Sequence, residues 1–287
     1  MGTVVTFQVV GAADDEARAR IHDAVEWFRH VETCCNRFDV ASEVQRLART
    51  HDTAVPVSDT LLHTVQFALA LANESDGAFD PTVGRRMERR GFDREYRSGE
   101  RVVTDPRVSE DVSYRDVHID AENKTITLAR PLLLDLGAVA KGLAVDMAAR
   151  ALAPLENFAI DAGGDMYLAG NNADGDAWSV GIRHPRNDGE LLDTLRVSNA
   201  AVCTSGDYER VSDTGHHIID AQSGDTANSV VSVTVVAPIA MVADGLATTA
   251  FVLGPERGLA LLEKHNVEGI IVTPSLERHE TRGVPRG

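Results

Sequence analysis

The sequence predicts an α+β fold, on three observations. Stretches of two-residue apolar alternation and stretches of helical spacing both occur. They do not alternate as regular strand–helix units. Hairpin signals also interrupt the helical segments, which argues against a doubly wound sheet.

The elements follow in order. "TVVTFQVV" alternates as an opening strand. After the acidic segment "ADDE", Ile21, Ala24, Val25, Phe28 and Val31 recur at helical spacing. "VSDTLLHTVQFALALANESDG" predicts a second helix, with Ser58 as N-cap and Gly77 just past its end. Residues 91–111 are charged and irregular, and predict a long loop or a lobe boundary. "VHIDAENKTITLAR" reads as a hairpin turning at Ala121, Glu122 and Asn123. A helix is expected from near Ala138 to about Leu152. Short strands follow in "NFAID", "DMYLAG", "AWSVGIR", "NAAVCTS", "HHIID" and "VVSVTVVAP". "MVADGLATTAFVLG" and "PERGLALLEKHN" predict two helices, the second with Pro255 in its first turn. "EGIIVTP" closes the fold as a strand, and residues 276–287 form a polar, frayed tail. Residues 1–275 read as one domain of two lobes.

Composition narrows the function classes. The chain has 287 residues, 43% of them hydrophobic, enough for a sizeable core. Its formal charge of −16 disfavours nucleic acid and anionic lipid as partners. An anionic substrate would need local positive charge or a metal. Three cysteines, Cys34, Cys35 and Cys203, include no C-x-x-C pair, so a zinc site and a disulfide framework are not expected. Adjacent Cys34 and Cys35 read as helix packing. No run reaches the ~20 apolar residues of a membrane span, and no signal peptide opens the sequence. A cytoplasmic location is the expectation for the sequence as given, although a leader removed upstream would leave the same residues.

Five segments carry candidate chemistry. In "DLGAVAKGLAVD", Asp135 ends an apolar run and a helix begins just beyond it, where free N–H groups favour anions. Lys141 lies one turn inside. It is one of three lysines in a chain with twenty-five arginines. It reads either as a phosphate or carboxylate contact or as a lysine snorkelling to solvent. In "AIDAGGDMYLAG", Gly163 and Gly164 allow close backbone approach to a ligand or a strand, without a dinucleotide fingerprint. "VCTSGDYER" offers hydroxyls but lacks a nucleophile elbow. In "HHIIDAQSG", an extended strand would put His217 and Ile219 on one face and Ile218 on the other. Either His216 or His217 could be a base. In "VADGLATTA", Asp244 and Thr248 stand at i and i+4 on one helix face. A carboxylate and a hydroxyl there suit hard-oxygen ligation of magnesium, or an acid that satisfies the helix dipole.

Taken in order, "MGT", "ASEVQRL", "DGAFDPTVG", "DLGAVAKGLAVD", "AGGDMYLAG", "CTSGDY", "HHIID" and "VADGLATTAFVLG" make the chain resemble the ApbE-like FAD:protein FMN transferase family over nearly its whole length. The resemblance implies a two-lobed mixed-sheet α+β enzyme with FAD and Mg2+ in a cleft between lobes. Such an enzyme splits the FAD pyrophosphate, attaches FMN by a phosphodiester to a threonine or serine of a partner flavoprotein, and releases AMP. Carried over by position, Met1, Phe38, Ala78, Phe79, Asp80, Asp135, Lys141 and Ile219 would contact FAD. Ala138 (through its carbonyl), Asp244 and Thr248 would hold the metal. His217 would be the base on the acceptor hydroxyl. Asp146 reads as a solvated helix residue.

The sequence departs from the family pattern at several positions. Ala221 and Gln222 stand where proline and arginine are usual, which removes a cation. "CCNR" precedes Phe38 where small hydroxyl residues are usual, and Phe38 itself replaces Tyr or Trp. Ala247 replaces a second acid seen in some relatives. Three other readings compete: a Mg2+-dependent FAD pyrophosphatase with water as acceptor, a non-catalytic FAD-binding protein, and an oxidoreductase using bound FAD.

Overall fold

The computed structural model describes residues 2–11, 14–96, 98–102, 105, 107–212 and 214–286. The chain forms two compact units. One comprises chiefly Arg29–Ala140 and Arg210–Thr226; the other comprises Thr3–Phe28, Lys141–Glu209 and the chain from Ala227 onward. The described residues of the 91–111 segment lie within the first unit.

In the first unit, the end of helix α1 (Asp15–Cys35) leads to α2 (Glu43–Ala48) and α3 (Asp59–Glu74). Ser58 caps α3 as expected, its side chain accepting from Leu61 N at 3.2 Å. Leu61, Leu62, Val65, Ala68, Leu71 and Ala72 form the buried stripe of α3, spaced three and four apart. The predicted hairpin is present as Val117–Asp120 paired with Thr125–Leu128. Val55–Pro56 adds a third strand beside Thr125–Leu128. A 3-10 turn, Pro81–Val83, leads into α4 (Gly84–Arg89). Cys34 and Cys35 are buried at the end of α1, as packing residues.

The second unit is built on a seven-stranded sheet. Its spatial order repeats the chain order: Thr6–Val9, Phe158–Asp161, Asp165–Ala169, Ala200–Gly206, Ser232–Ala237, Glu268–Val272 and Arg278–Glu280. Every neighbouring pair is antiparallel. Residue alternation divides the side chains between two faces. Leu168, Val202, Ile270 and Val272 join Trp178, Val180, Ile182, Leu195 and Val197 in one apolar cluster. The last five belong to a separate hairpin, Trp178–Arg183 with Leu191–Val197. From the central strand, Cys203 and Ser205 point the other way, to helix α6 (Ala240–Lys264). Helix α5 (Ala140–Leu152) also belongs largely to this unit.

Helix α6 is continuous by hydrogen bonding but broken in conformation at Gly254, with φ 81° and ψ 178°. The two helices expected on either side of Pro255 are therefore both present. Two expectations need correction. The carboxy-terminal segment is not frayed in its described residues. Arg278–Glu280 pairs with Ile270–Val272, and Asp193 accepts from both Arg278 and Arg286. Nor is "HHIID" a continuous strand. Gly215–His216 pairs with Val211–Ser212, Ile219 makes an isolated bridge to Thr226, and between them Ile218 N donates to His216 Nδ1 at 3.3 Å.

Candidate active site

The first unit gathers three of the sequence-predicted segments. Asp135 N donates to Pro81 O at 2.7 Å, joining the "DLGA" and "AFDP" segments. Ala221 N donates to Ala78 O at 3.0 Å, bringing in the loop that carries His217. Two arginines from the α4 end clamp that loop. Arg86 donates to Ala221 O, and Arg90 donates to Thr214 O and Gly224 O at 3.1 Å each. They are four residues apart, so they project from one side of the helix. Gln222 donates to Asp76 O at 2.6 Å, so it braces the loop through a backbone bond.

Within this frame, Asp80 is 7% exposed and its carboxylate is fully used. Oδ1 accepts from Thr82 N at 2.8 Å and Thr82 Oγ1 at 2.7 Å; Oδ2 accepts from Tyr114 N at 2.8 Å. Ala78 and Phe79, just before Asp80, are buried. Burial pushes the Asp80 pKa up, against the hydrogen bonds that lower it. Ile219 is buried, and Phe38 is half-buried. Ala138 sits in the turn before α5, and Met1 lies outside the described residues.

Arg37 is a site residue that the sequence analysis did not single out. Its guanidinium carbon lies 3.9 Å from the centre of the Phe38 ring, a cation–π distance. Its Nε donates to Asp135 Oδ2 at 2.7 Å and its Nη2 to Phe92 O at 2.8 Å. Asp135 also accepts from Gly137 N at 2.9 Å. Burial alone would raise the Asp135 pKa, but Arg37, the Gly137 N–H and Arg210 bring it below the ordinary carboxylate value. The signal lay in "CCNR", where an arginine follows closely on the end of α1.

His217 is half-buried, with its ring centre 6.3 Å from that of Phe92. Its Nδ1 is buried and has no hydrogen-bond partner among the described residues. Burial, followed by the positive charge of Arg210, lowers its pKa to about 4. The ring is therefore neutral at pH 7. His216 is 8% exposed and turns its Nδ1 to the backbone.

In the second unit, Lys141 Nζ pairs with Asp165 Oδ2 at 2.8 Å, and Asp165 is 1% exposed. The snorkelling alternative is thus corrected: the head group is held by a buried acid. Burial works against the lysine's charge, but Asp165 and Asp244 hold its pKa above the ordinary value. Asp244 is 5% exposed and accepts from Gly142 N at 3.0 Å. Burial first, then neighbouring Asp165, raises its pKa well above the ordinary value. Thr248 Oγ1 lies 3.0 Å from Ser205 Oγ, and Ala247 is fully buried. Asp146 is not a solvated residue. Its two carboxylate oxygens accept from Ala240 N at 2.7 Å and Met241 N at 2.9 Å, at the start of α6.

Asp244, Asp165 and Lys141 form one buried cluster, and its raised Asp244 pKa marks a carboxyl whose ionised form a nearby cation would favour. Among the described residues, no group of three His, Cys, Asp or Glu side chains forms a metal cage. Asp244 and Thr248 put one carboxyl and one hydroxyl on the same face of α6. No described helix is long and apolar enough to cross a membrane.

The ApbE family model matches residues 1–271. A Vibrio cholerae protein named FAD:protein FMN transferase is 34% identical over 243 residues, covering 80% of this chain and 72% of that protein. One of the same name from Treponema pallidum is 33% identical over 267 residues, covering 83% and 72%. The crystal structure of the ApbE protein from Thermotoga maritima superposes with a TM-score of 0.85 at 30% identity, covering 98% of this chain and 94% of that one. The flavin transferase ApbE from V. cholerae gives a TM-score of 0.81 at 30% identity, with the same coverage. With a match over residues 1–271 and relatives above 30% identity, the chain belongs to the ApbE family.

Proposed function

We propose that this chain transfers FMN from FAD to a threonine or serine hydroxyl of a partner flavoprotein, in a Mg2+-dependent reaction that releases AMP. The chain is an enzyme of the flavin transferase type, with FAD as substrate and a protein as acceptor. The observation that carries the finer reading is the buried Lys141–Asp165–Asp244 cluster beside Thr248 in a chain of that family.

In this reading Asp244, Thr248 and the Ala138 carbonyl would hold Mg2+, which neutralises charge on the transferring phosphoryl group. Lys141 supplies a fixed cation to the pyrophosphate, kept protonated by Asp165 and Asp244. By the family resemblance, Met1, Phe38, Ala78, Phe79, Asp80, Asp135 and Ile219 would contact FAD. Asp135 keeps its charge through Arg37. The acceptor oxygen bonds to the FMN phosphorus as the P–O–P bridge breaks. The bridging oxygen leaves with AMP, and the hydroxyl proton goes to His217. A positioned base contributes about 10²–10⁴-fold.

The test incubates the protein with FAD, MgCl2 and an acceptor flavoprotein carrying the target threonine. AMP is measured by chromatography and bound flavin by in-gel fluorescence. Stoichiometric AMP and labelled acceptor support the transferase. AMP with unlabelled acceptor supports the pyrophosphatase, and no AMP with retained FAD binding supports the non-catalytic reading.

A further inference from the structure

Helices α5 and α6 exchange caps at their first turns. Gly142 N of α5 donates to Asp244 of α6, and Ala240 N and Met241 N of α6 donate to Asp146 of α5. Asp146 stands four residues after Gly142, and Asp244 four after Ala240. Each helix thus satisfies N–H groups of the other with the acid one turn in. The N-cap of α6 is Ile239, which makes no side-chain cap bond. Asp146 replaces that missing cap from the neighbouring helix. The backbones are also close. A Cβ on Gly142 would lie 2.5 Å from Ala240 O and 2.7 Å from Met241 Cα.

We propose that Asp146 is a positioning residue for the metal-holding pair Asp244 and Thr248. The proposal rests on the metal reading given above. A local N-cap would stabilise α6 but would not tie it to α5. Asp146 does both, because its carboxylate is carried by the helix that also presents Lys141 and the Gly142 N–H. It sets where the first turn of α6 lies along α5, and Asp244 follows one turn later, ~6 Å along the axis at 1.5 Å per residue. The two bonds are charge-assisted and so stronger than neutral ones. Groups that orient metal ligands from behind typically change affinity about 10–100-fold when removed.

The experiment separates positioning from capping. Mn2+ binding is measured by electron paramagnetic resonance and Mg2+ binding by calorimetry, on full-length protein well below its melting temperature. Asp146→Asn is expected to lower Tm and to weaken metal binding about 10–100-fold. Adding Ile239→Ser to that variant supplies an ordinary N-cap. It is expected to recover Tm without recovering metal affinity. Unchanged affinity in Asp146→Asn would overturn the proposal, and so would recovery of both properties in the double variant. If Asp146→Asn does not fold, Asp146→Ser keeps one acceptor and is read in the same way. Asp244→Ala is the control. If it binds Mn2+ like the wild type, the metal reading itself has failed and the inference falls with it. If it loses Mn2+ while Asp146→Asn keeps it, only the inference has failed.

Discussion

Lys141 shows how a single residue combines stability and chemistry. Its ammonium pairs with the buried Asp165 carboxylate beside Asp244, so removing it leaves Asp165 without its cation and next to a second acid. Breaking a buried pair from one side costs about 3–5 kcal/mol. Lys141→Met should therefore unfold at lower urea and also bind FAD more weakly. Asp165→Asn in the same chain should restore part of the stability but not the affinity. Equal stability of Lys141→Met and wild type in urea titration would contradict the pairing. His217 gives a pH prediction. Its pKa is about 4 in the folded state against an ordinary value near 6.5. Between these values the unfolded chain binds more protons, so this residue makes stability fall as pH drops from 6.5 to 4. His217→Gln should flatten the Tm–pH curve in that window and reduce transfer about 10²–10⁴-fold, with FAD affinity retained. A curve as steep as the wild type's would place the titration elsewhere. His216→Ala should cost stability, through its lost bond to Ile218 N, more than it costs transfer.

Elements were legible where local chemistry and burial agree. Helix α3 shows a capping serine, an apolar stripe and a glycine past its end, and all three are present. The break between the two parts of α6 was legible from the sequence "GP". Gly254 adopts a φ and ψ essentially reserved for glycine, and a Cβ there would lie 3.1 Å from Ser229 Oγ. Gly254→Ala should destabilise the protein by about 1–3 kcal/mol in chemical denaturation. No change would mean the kink is not fixed by this residue. Polar strands were less legible. Arg278–Glu280 is held by pairing and by arginine–carboxylate bonds, and Leu191–Val197 shows an apolar alternation only at its end, in Leu195 and Val197. At the candidate site, Asp244, Thr248, Lys141 and His217 were picked out from spacing and family resemblance. Arg37 and Asp165 were not picked out and Asp146 was read as solvated, because their contacts lie with partners 98, 24 and 94 residues away.

At the scale of the whole molecule, an acidic chain must handle an anionic dinucleotide. The formal charge is −16, yet arginine and lysine are concentrated in specific bonds: Arg37 on Asp135, Arg86 and Arg90 on the His217 loop, and Lys141 in its acidic pocket. Each of these positive side chains is thus committed to a specific carboxylate or carbonyl. The exchange of family arginine for Gln222 fits this arrangement, since Gln222 braces the loop without adding charge. The central claim is that the phosphoryl acceptor is a protein hydroxyl. The most direct measurement is intact mass spectrometry of an acceptor flavoprotein after incubation with this chain, FAD and Mg2+. Transfer predicts a mass increase of one FMN less water on the target threonine, abolished by Asp244→Ala and by changing that threonine to alanine. Release of AMP with no change in acceptor mass would contradict it.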